Sequence, residues 1–146
     1  MLTDQEIDSI RAFNRHYTQV LGVLDKRTFD TDLTWPEGRI LIEVAVNHLD
    51  TPMAVTRALH LDKSYASRTI KRLTDKGILQ KTPSPTDSRS INISLTEHGH
   101  AVFEDINQKS NDLIKKMIED LSPAEQEEYF QSIKTINQLL FKKGMD

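Results

Sequence analysis

Hydrophobic residues recur at helical spacing along most of the chain, and this pattern predicts six helices with two short strands before the fifth. The first helix is expected from residue 4 to about residue 29, where Ile7, Ile10 and Phe13 begin an apolar stripe. Because this stripe precedes any compact core in the sequence, it needs a partner surface. Either the rest of the chain or a second subunit could supply that surface.

Capping residues mark where the other helices are expected to begin. Segments 34–37 and 122–125 each have the order of a capping box, with proline at the start of the helix. Thr51-Pro52 starts another helix, and Thr96 can cap a long helix that reaches about residue 120. The last helix is expected to reach about residue 143, and its broad apolar face indicates that it is packed.

The fourth helix is expected to start at Asp62, a favourable N-cap residue, after only a short turn from the helix before it. Ala66, Ile70 and Leu73 then follow helical spacing and form one apolar stripe. Gly77 permits the helix to stop. Two helices joined by so short a turn predict a helix-turn-helix.

A hairpin is predicted directly after this helix. Ile78 and Leu79 enter a first strand, and the cluster of turn-forming residues at 83–87 follows. In residues 91–95, apolar and polar side chains alternate, as they do in a half-buried strand. The fold class predicted is therefore mainly α with a small β-hairpin, the outline of a winged helix-turn-helix with long helices at both ends.

The face of the fourth helix opposite the apolar stripe carries basic and hydroxyl side chains. A DNA major groove admits one helix, whose outward side chains must donate hydrogen bonds to base edges and phosphates. The residues early in the helix could reach base edges, and those one turn later could reach phosphates. The candidates are Lys63, Ser64, Tyr65, Ser67, Arg68, Lys71 and Arg72.

Arg89 lies on the hairpin, where its guanidinium could enter a narrow minor groove. Each charge also has a simpler explanation. Arg89 could be a surface ion-pair partner of Asp87, and Lys71 and Arg72 alone are typical of a solvated helix face. The combination and order of these features favour DNA binding.

Charge is unevenly distributed over the 146 residues, whose formal net charge is −3. Residues 57–89 contain eight Lys or Arg and three Asp or Glu, a net charge of +5, and the rest of the chain has a net charge of −8. A basic segment on an acidic body can bind a polyanion, while the acidic body limits non-specific association.

Other classes of protein find little support in the sequence. No apolar run approaches the ~18 residues of a membrane span, and the N-terminus lacks the features of a signal peptide, so a cytoplasmic location with no membrane partner is expected. The chain has no cysteine, hence no disulfide and no thiol nucleophile. No catalytic or nucleotide-binding motif occurs, and the five histidines show no metal-binding pattern, so no enzyme activity, cofactor or metal is expected.

The segments LDKSYASRTIKRLTDKGIL (61–79) and DSRSINISLT (87–96) resemble the MarR family of winged-helix transcription regulators. The second segment matches the family's wing pattern of Asp, any residue, Arg, and a strand that ends in Leu-Thr. The flanking helices fall where those of the family do. Residues 10–25 also look like the start of the MarR-type portion in fusions to a GNAT acetyltransferase. No such activity is expected here, since the acetyltransferase portion is missing.

The resemblance implies one MarR-type domain over residues 1–146, with dimerisation helices at 4–29 and 97–143 and a DNA-binding core at 34–96. A homodimer would read a pseudo-palindromic operator in double-stranded DNA. The helix from Lys63 to Lys76 would lie in the major groove and Arg89 in the minor groove, and Asp87 would brace the wing. His60 occupies a turn position where the family usually has glycine, so either the turn differs or His60 adopts a strained conformation.

Many members of the family are released from DNA by a small ligand. The expected function is therefore a dimeric, sequence-specific transcription regulator, a repressor released by a small molecule. No pocket motif identifies the ligand site, and His16, Tyr17 and Trp35 are candidates by position only. The alternatives are a winged-helix module that binds another protein and a regulatory partner of an acetyltransferase.

Overall fold

The computed structural model describes residues 1–22, 27–29 and 31–142 and confirms a mainly helical fold with one hairpin. Two compact units divide the chain, Met1–Gln108 and Lys109–Asp146, and helix α5 runs through their boundary. The elements are α1 (Asp4–Leu21), α2 (Trp35–Asn47), α3 (Pro52–Ala58), α4 (Lys63–Asp75), β1 (Leu79–Pro83), β2 (Ile91–Leu95), α5 (Glu97–Ile118) and α6 (Pro123–Leu140).

The core of the first unit lies where α2, α3, α4 and the hairpin pack together. The stripe predicted for α4 is buried there, since Ala66, Ile70 and Leu73 are almost fully enclosed. Burial of side chains as large as Ile70 and Leu73 stabilises the fold by roughly 1.5–3 kcal/mol each. The cluster consists of Leu33, Ile40, Leu41, Val44, Val55, Ile70, Leu73, Ile78, Leu79, Ile93 and Ile106.

The predicted helix starts are confirmed in their hydrogen bonds. Thr34 and Ser122 each form a complete capping box, and the carboxylate of Asp62 accepts a hydrogen bond from the N–H of Tyr65 at 3.0 Å. The hydroxyl of Thr96 accepts from the N–H of Gly99 at 2.9 Å. These caps satisfy donors that the first turn of a helix leaves free.

The first helix is shorter than the predicted span to about residue 29. It ends at Leu21, because Gly22 takes the left-handed conformation (φ 72°) and its N–H donates to the carbonyl of Gln19 at 3.0 Å. The indole N–H of Trp35 donates to the Gly22 carbonyl at 2.6 Å and fixes this end. Residues 27–29 are not helical, and residues 23–26 lie outside the described part.

The turn between α3 and α4 is built around His60, which has a positive φ of 52°. The N–H of Leu61 donates to the carbonyl of Thr56 at 3.0 Å and closes the turn. Histidine tolerates this conformation less well than glycine does. Of the two sequence-based alternatives for this position, the strained conformation is the one observed.

The hairpin pairs β1 with β2 in antiparallel register, with Leu79 opposite Leu95 and Pro83 opposite Ile91. The N–H of Ile93 also donates to the carbonyl of Asp50 at 2.8 Å, which joins β2 to the connection between α2 and α3. The predicted alternation of buried and exposed residues in β2 holds only in part. Ile93 is buried, whereas Ile91, on the same face of the strand, is 49% exposed.

Helix α5 begins in close contact with the hairpin. A Cβ atom at Gly99 would lie 2.1 Å from the carbonyl oxygen of Ile78, so no other residue fits this approach. The hydroxyl of Thr96 also donates to the carbonyls of Gly77 and Ile78. These contacts fix the base of the hairpin relative to the start of α5.

The second unit contains the end of α5 and all of α6. The side-chain amide of Gln126 donates to the carbonyls of Ile118 and Leu121 at 3.3 and 3.2 Å, which ties the start of α6 to the turn before it. Helix α6 ends at Leu140, and residue 143, its predicted end, lies outside the described part. Within the described residues, no helix has the length and apolar character needed to cross a bilayer.

Candidate nucleic-acid interface

Helix α4 presents a polar face because its opposite side is held in the core. The buried side chains are Ala66, Thr69, Ile70 and Leu73. At 3.6 residues per turn, the side chains at the centre of the opposite, exposed face belong to positions 64, 68, 71 and 75. Helix packing, rather than any single residue, therefore decides which of the predicted side chains point directly outward.

The predicted residues of α4 divide into a centre and two edges. Ser64, Arg68 and Lys71 lie at the centre and are exposed. Lys63 and Ser67, four residues apart, share one edge. On the opposite edge lie Tyr65, which is partly buried, and Arg72, which is exposed.

These side chains differ in whether they already have partners. Lys71 Nζ lies 3.0 Å from the Asp75 carboxylate, and the guanidinium of Arg72 donates to the Thr69 hydroxyl at 3.0 Å. Ser64 and Arg68 make no side-chain hydrogen bond or ion pair with any described residue. Arg68 is thus the cation at the centre of the exposed face of α4 that is free to bind an external acceptor.

The hairpin tip is organised by Asp87. One carboxylate oxygen accepts from the N–H of Arg89 at 3.0 Å, and the other accepts from the hydroxyl of Ser90 at 3.2 Å. The sequence-based alternative of an Asp87–Arg89 ion pair is wrong, because no such pair forms between these two described residues. The exposed guanidinium of Arg89 is left available.

A groove of about 290 Å³ lies beside α4 on the side of the Lys63 edge. It is lined by Lys63 and Ser67 of α4, by Ser90 and Ile91 next to the turn of the hairpin, and by the start of α3. Of these residues, only Lys63 and Ser67 are predicted from the sequence to contact DNA. The others carry no local motif and become neighbours only through tertiary packing.

Below the helix, a buried ion pair joins α2 to the end of α4. The side chain of Glu37 is 2% exposed, and one of its oxygens lies 2.9 Å from Lys76 Nζ. The Thr34 hydroxyl donates to the other oxygen at 2.8 Å. Burial raises the pKa of Glu37, but the hydrogen bonds from Lys76 and Thr34 outweigh it and hold the pKa below its ordinary value.

A second cavity, of about 340 Å³, opens between the loop before α2, the end of α4 and the start of α5. Its walls include Leu33, Ile78 and Val102, and its polar groups include Lys76 and His98. The volume is that of a small-molecule site. None of the three residues proposed by position alone (His16, Tyr17 and Trp35) lines it.

Those three residues have structural roles or are exposed. Tyr17 stacks on Phe13 with 5.3 Å between the ring centroids, and Trp35 packs against Phe29. His16 is exposed on α1. In the part of the chain that the structure describes, no three His, Asp or Glu side chains are grouped closely enough to hold a metal ion.

Comparison with known sequences identifies the family of this segment. Residues 31–90 match the sequence profile of the MarR family. The chain is 27% identical over 95 residues to the multiple antibiotic resistance protein MarR of Salmonella typhimurium, which covers 64% of this chain and 66% of that protein. It is 35% identical over 69 residues to the regulator BilQ of Clostridioides difficile, which covers 45% of this chain and 47% of BilQ. The matches thus span less than two thirds of these relatives.

Comparison with solved structures confirms the winged-helix fold. FabT of Streptococcus pneumoniae, solved in complex with DNA, superposes with a TM-score of 0.76 at 19% identity, over 94% of this chain and 97% of FabT. At this identity the likeness concerns the fold alone. The resemblance to the MarR family predicted from the sequence is confirmed by the profile match together with this fold.

Proposed function

We propose that this chain, which belongs to the MarR family through its residues 31–90, is a transcription regulator that binds specific double-stranded DNA. The observation that carries the proposal is the pair of unpartnered guanidinium groups, Arg68 at the centre of the α4 face and Arg89 at the hairpin. In this arrangement α4 enters the major groove, where Arg68 and Ser64 donate to base edges. Arg89 enters the adjacent minor groove.

The remaining candidate residues have supporting roles in the proposal. Lys63, Tyr65, Ser67, Lys71 and Arg72 contact the DNA from the rest of the α4 surface, and Asp87 holds the hairpin tip in shape. Lys71 must exchange Asp75 for a phosphate when it binds DNA. Because both side chains are well exposed, this exchange costs little.

A homodimer is part of the proposal, because large apolar side chains are exposed on the terminal helices. Ile10 and Phe13 of α1 are about half exposed, and Leu139 and Leu140 of α6 are 68% and 70% exposed. Exposed apolar surface of this kind is typical of an interaction site. Two copies related by a twofold axis would present two α4 helices to a pseudo-palindrome.

Repression with release by a small molecule is the finer form of the proposal. The cavity is lined by Lys76, the residue that directly follows α4, so a ligand there would contact the end of the recognition helix through its C-cap. A panel of small aromatic carboxylates added to the protein–DNA complex tests this role. We expect one of these carboxylates to release the DNA. The A101W variant, whose larger side chain would occupy the cavity, should abolish this release. If no carboxylate releases the DNA, this part of the proposal is contradicted.

The rival classes make different predictions. BilQ is named as a transcriptional regulator, which agrees with the expectation that the chain is not an enzyme. A protein-interaction module would use the basic face for an acidic partner and would not bind duplex DNA tightly at physiological salt. A regulatory partner of an acetyltransferase would co-purify with that enzyme.

Selection from a pool of random duplexes tests the proposed function. Enrichment of a pseudo-palindrome with half-sites about 10 base pairs apart is expected for a dimer with two recognition helices. Recovery of no common sequence after repeated rounds would contradict sequence-specific binding. The same selection with the R68A/R89A variant serves as the matched control and should enrich nothing.

A further inference from the structure

The groove beside α4 has an arrangement of side chains that the reading of base edges does not require. It lies between the Lys63 edge of α4 and the turn end of the hairpin, and it holds about 290 Å³. Thr51 and Met53 line it from the start of α3, and Ser90 and Ile91 line it from β2 and the residue before β2. The groove therefore separates the two elements that are proposed to enter DNA.

The polar side chains of the groove can bind an anion. Lys63 Nζ has no acidic partner among the described residues, and the hydroxyl of Ser67 makes no hydrogen bond to any of them. The hydroxyl of Thr51 accepts from the N–H of Ala54 at 3.1 Å, so its own proton is free to be donated. One charge and two hydroxyl donors are thus available among the residues that line the groove.

Two apolar side chains also line the groove. Met53 is 43% exposed and Ile91 is 49% exposed, although each belongs to an element that packs into the core. Ile91 is an exposed position of a strand whose next inward residue, Ile93, is buried. A groove that combines these apolar side chains with a cation and hydroxyl groups is complementary to a ligand with an apolar part and an anionic part.

Duplex geometry supplies such a ligand at this place. Adjacent major and minor grooves of DNA are separated by one sugar–phosphate strand. If α4 occupies one groove and Arg89 the next, that strand must cross the surface between them. Deoxyribose is the less polar part of the strand, and its phosphate is the anion. This step rests on the proposed function.

We infer that the groove is the seat of one sugar–phosphate step of the bound duplex. Lys63, Ser67 and Thr51 hold the phosphate, and Met53 and Ile91 contact the deoxyribose. Lys63 and Ser67 then position the helix and carry no sequence information, while Ser64 and Arg68 read the bases. The contact sets how far α4 enters the major groove, because it fixes the helix and the hairpin on either side of one strand.

Single methylphosphonate substitutions in the selected duplex test the inference, because each removes the charge of one phosphate. For the wild-type protein, we expect one position per half-site to weaken binding by about tenfold, the size of one charge-assisted hydrogen bond. In K63M the same substitution should change affinity less than about twofold, while the other positions keep their effects. K134M, a lysine on α6, is the matched control and should leave the wild-type pattern unchanged.

Salt dependence distinguishes the charged contact of the groove from its apolar contacts. K63M should reduce the slope of log Kd against log salt by about one unit. I91A and M53A should weaken binding on all duplexes without changing the slope. Independent, additive effects of K63M and every methylphosphonate would overturn the inference while leaving DNA binding intact. Failure of the wild-type protein to bind any selected duplex would overturn the proposed function and the inference together.

Discussion

At the scale of single residues, function is decided by which cations remain without partners. Lys71 and Arg68 have the same formal charge and lie on the same face of α4, but Lys71 is paired with Asp75 at 3.0 Å and Arg68 is not paired within the described residues. Arginine can also bind guanine through two parallel hydrogen bonds from its planar guanidinium, a fixed arrangement of donors that lysine lacks. We therefore propose Arg68, rather than Lys71, as the residue that recognises a base.

Replacement of Arg68 by alanine should weaken binding to the selected duplex by about 1–3 kcal/mol, the cost of one bidentate base contact. Binding to random DNA should change much less, because no base is read there. Fluorescence anisotropy on both duplexes measures the difference. R89A is the comparison: it should weaken both duplexes alike, as expected for a hairpin anchor. Equal losses on the two duplexes for R68A would contradict its role.

The sequence predicted which residues of α4 lie off its buried stripe, but not their division into centre and edges. Ala66, Ile70 and Leu73 gave the buried side of α4, and helical periodicity then placed the exposed side correctly. The groove residues Met53 and Ile91 could not be found in this way. Their apolar side chains resemble core positions in the sequence, and only the packing of α3 against β2 leaves them half exposed.

At the scale of elements, the turn before α4 stores strain at His60. A left-handed conformation costs a residue with a side chain roughly 1–2 kcal/mol, whereas glycine adopts it freely but loses more entropy on folding. The turn is nevertheless maintained, because Leu61 bonds to Thr56 across it at 3.0 Å. The turn that orients α4 therefore forms despite the conformational strain at His60.

Replacement of His60 by glycine should raise the free energy of unfolding by about 0.5 kcal/mol, since the relief of strain exceeds the extra entropy loss. Urea denaturation measures the change as a higher midpoint at unchanged slope. H60A should give no gain, because alanine retains the unfavourable conformation. A lower midpoint for H60G would show that the imidazole itself stabilises the turn.

The ion pair between Glu37 and Lys76 is a second contact between elements, and it makes stability depend on pH. The pKa of Glu37 is lowered in the folded protein, chiefly by hydrogen bonds from Lys76 and Thr34 that overcome burial. A lowered pKa contributes stability above the ordinary value of 4.5, and this contribution is lost as the pH falls below it.

The E37Q variant should be less stable than the wild type by about 1–3 kcal/mol at neutral pH, the usual cost of a damaged buried polar contact. The difference should shrink as the pH is lowered from 5 to about 3, because the wild type then protonates Glu37 as well. Denaturant unfolding at several pH values measures it. E104Q, at an exposed site on α5, should parallel the wild type. A constant difference across this range would contradict the assignment.

Element boundaries were predicted well where a local signal existed. Both capping boxes and the Asp62 cap lie at the expected positions, because such bonds depend on residues three positions apart. Helix α1 was predicted to be about eight residues longer than it is. Gly22 was a possible stop signal, but its use depends on the hydrogen bond from Trp35, thirteen residues away, which periodicity does not reveal.

At the scale of the whole molecule, exposed apolar side chains on α1 and α6 are the surface that the proposed homodimer would bury. Phe13, Phe130 and Leu139 are each at least half exposed. The caps and apolar stripes of these helices were evident in the sequence, but whether the stripes would be buried within the chain was not.

A charge at this surface should therefore separate the subunits. L139E should raise the dissociation constant of the dimer by about a hundredfold or more, as for a central interface residue. Sedimentation velocity measures the mass. Q138E adds the same charge at the neighbouring polar position and should remain dimeric. A monomeric wild type at micromolar concentration would contradict the dimer, and so would an L139E variant as tightly dimeric as Q138E.

The central claim is sequence-specific binding to duplex DNA, and a salt series on the selected and the scrambled duplex tests it most directly. Anisotropy should give an affinity for the selected duplex at least about a thousandfold higher at physiological salt, with a steep loss of affinity on both duplexes as salt increases. Equal and weak binding to both duplexes would contradict the account and would favour a protein partner for the basic face of α4.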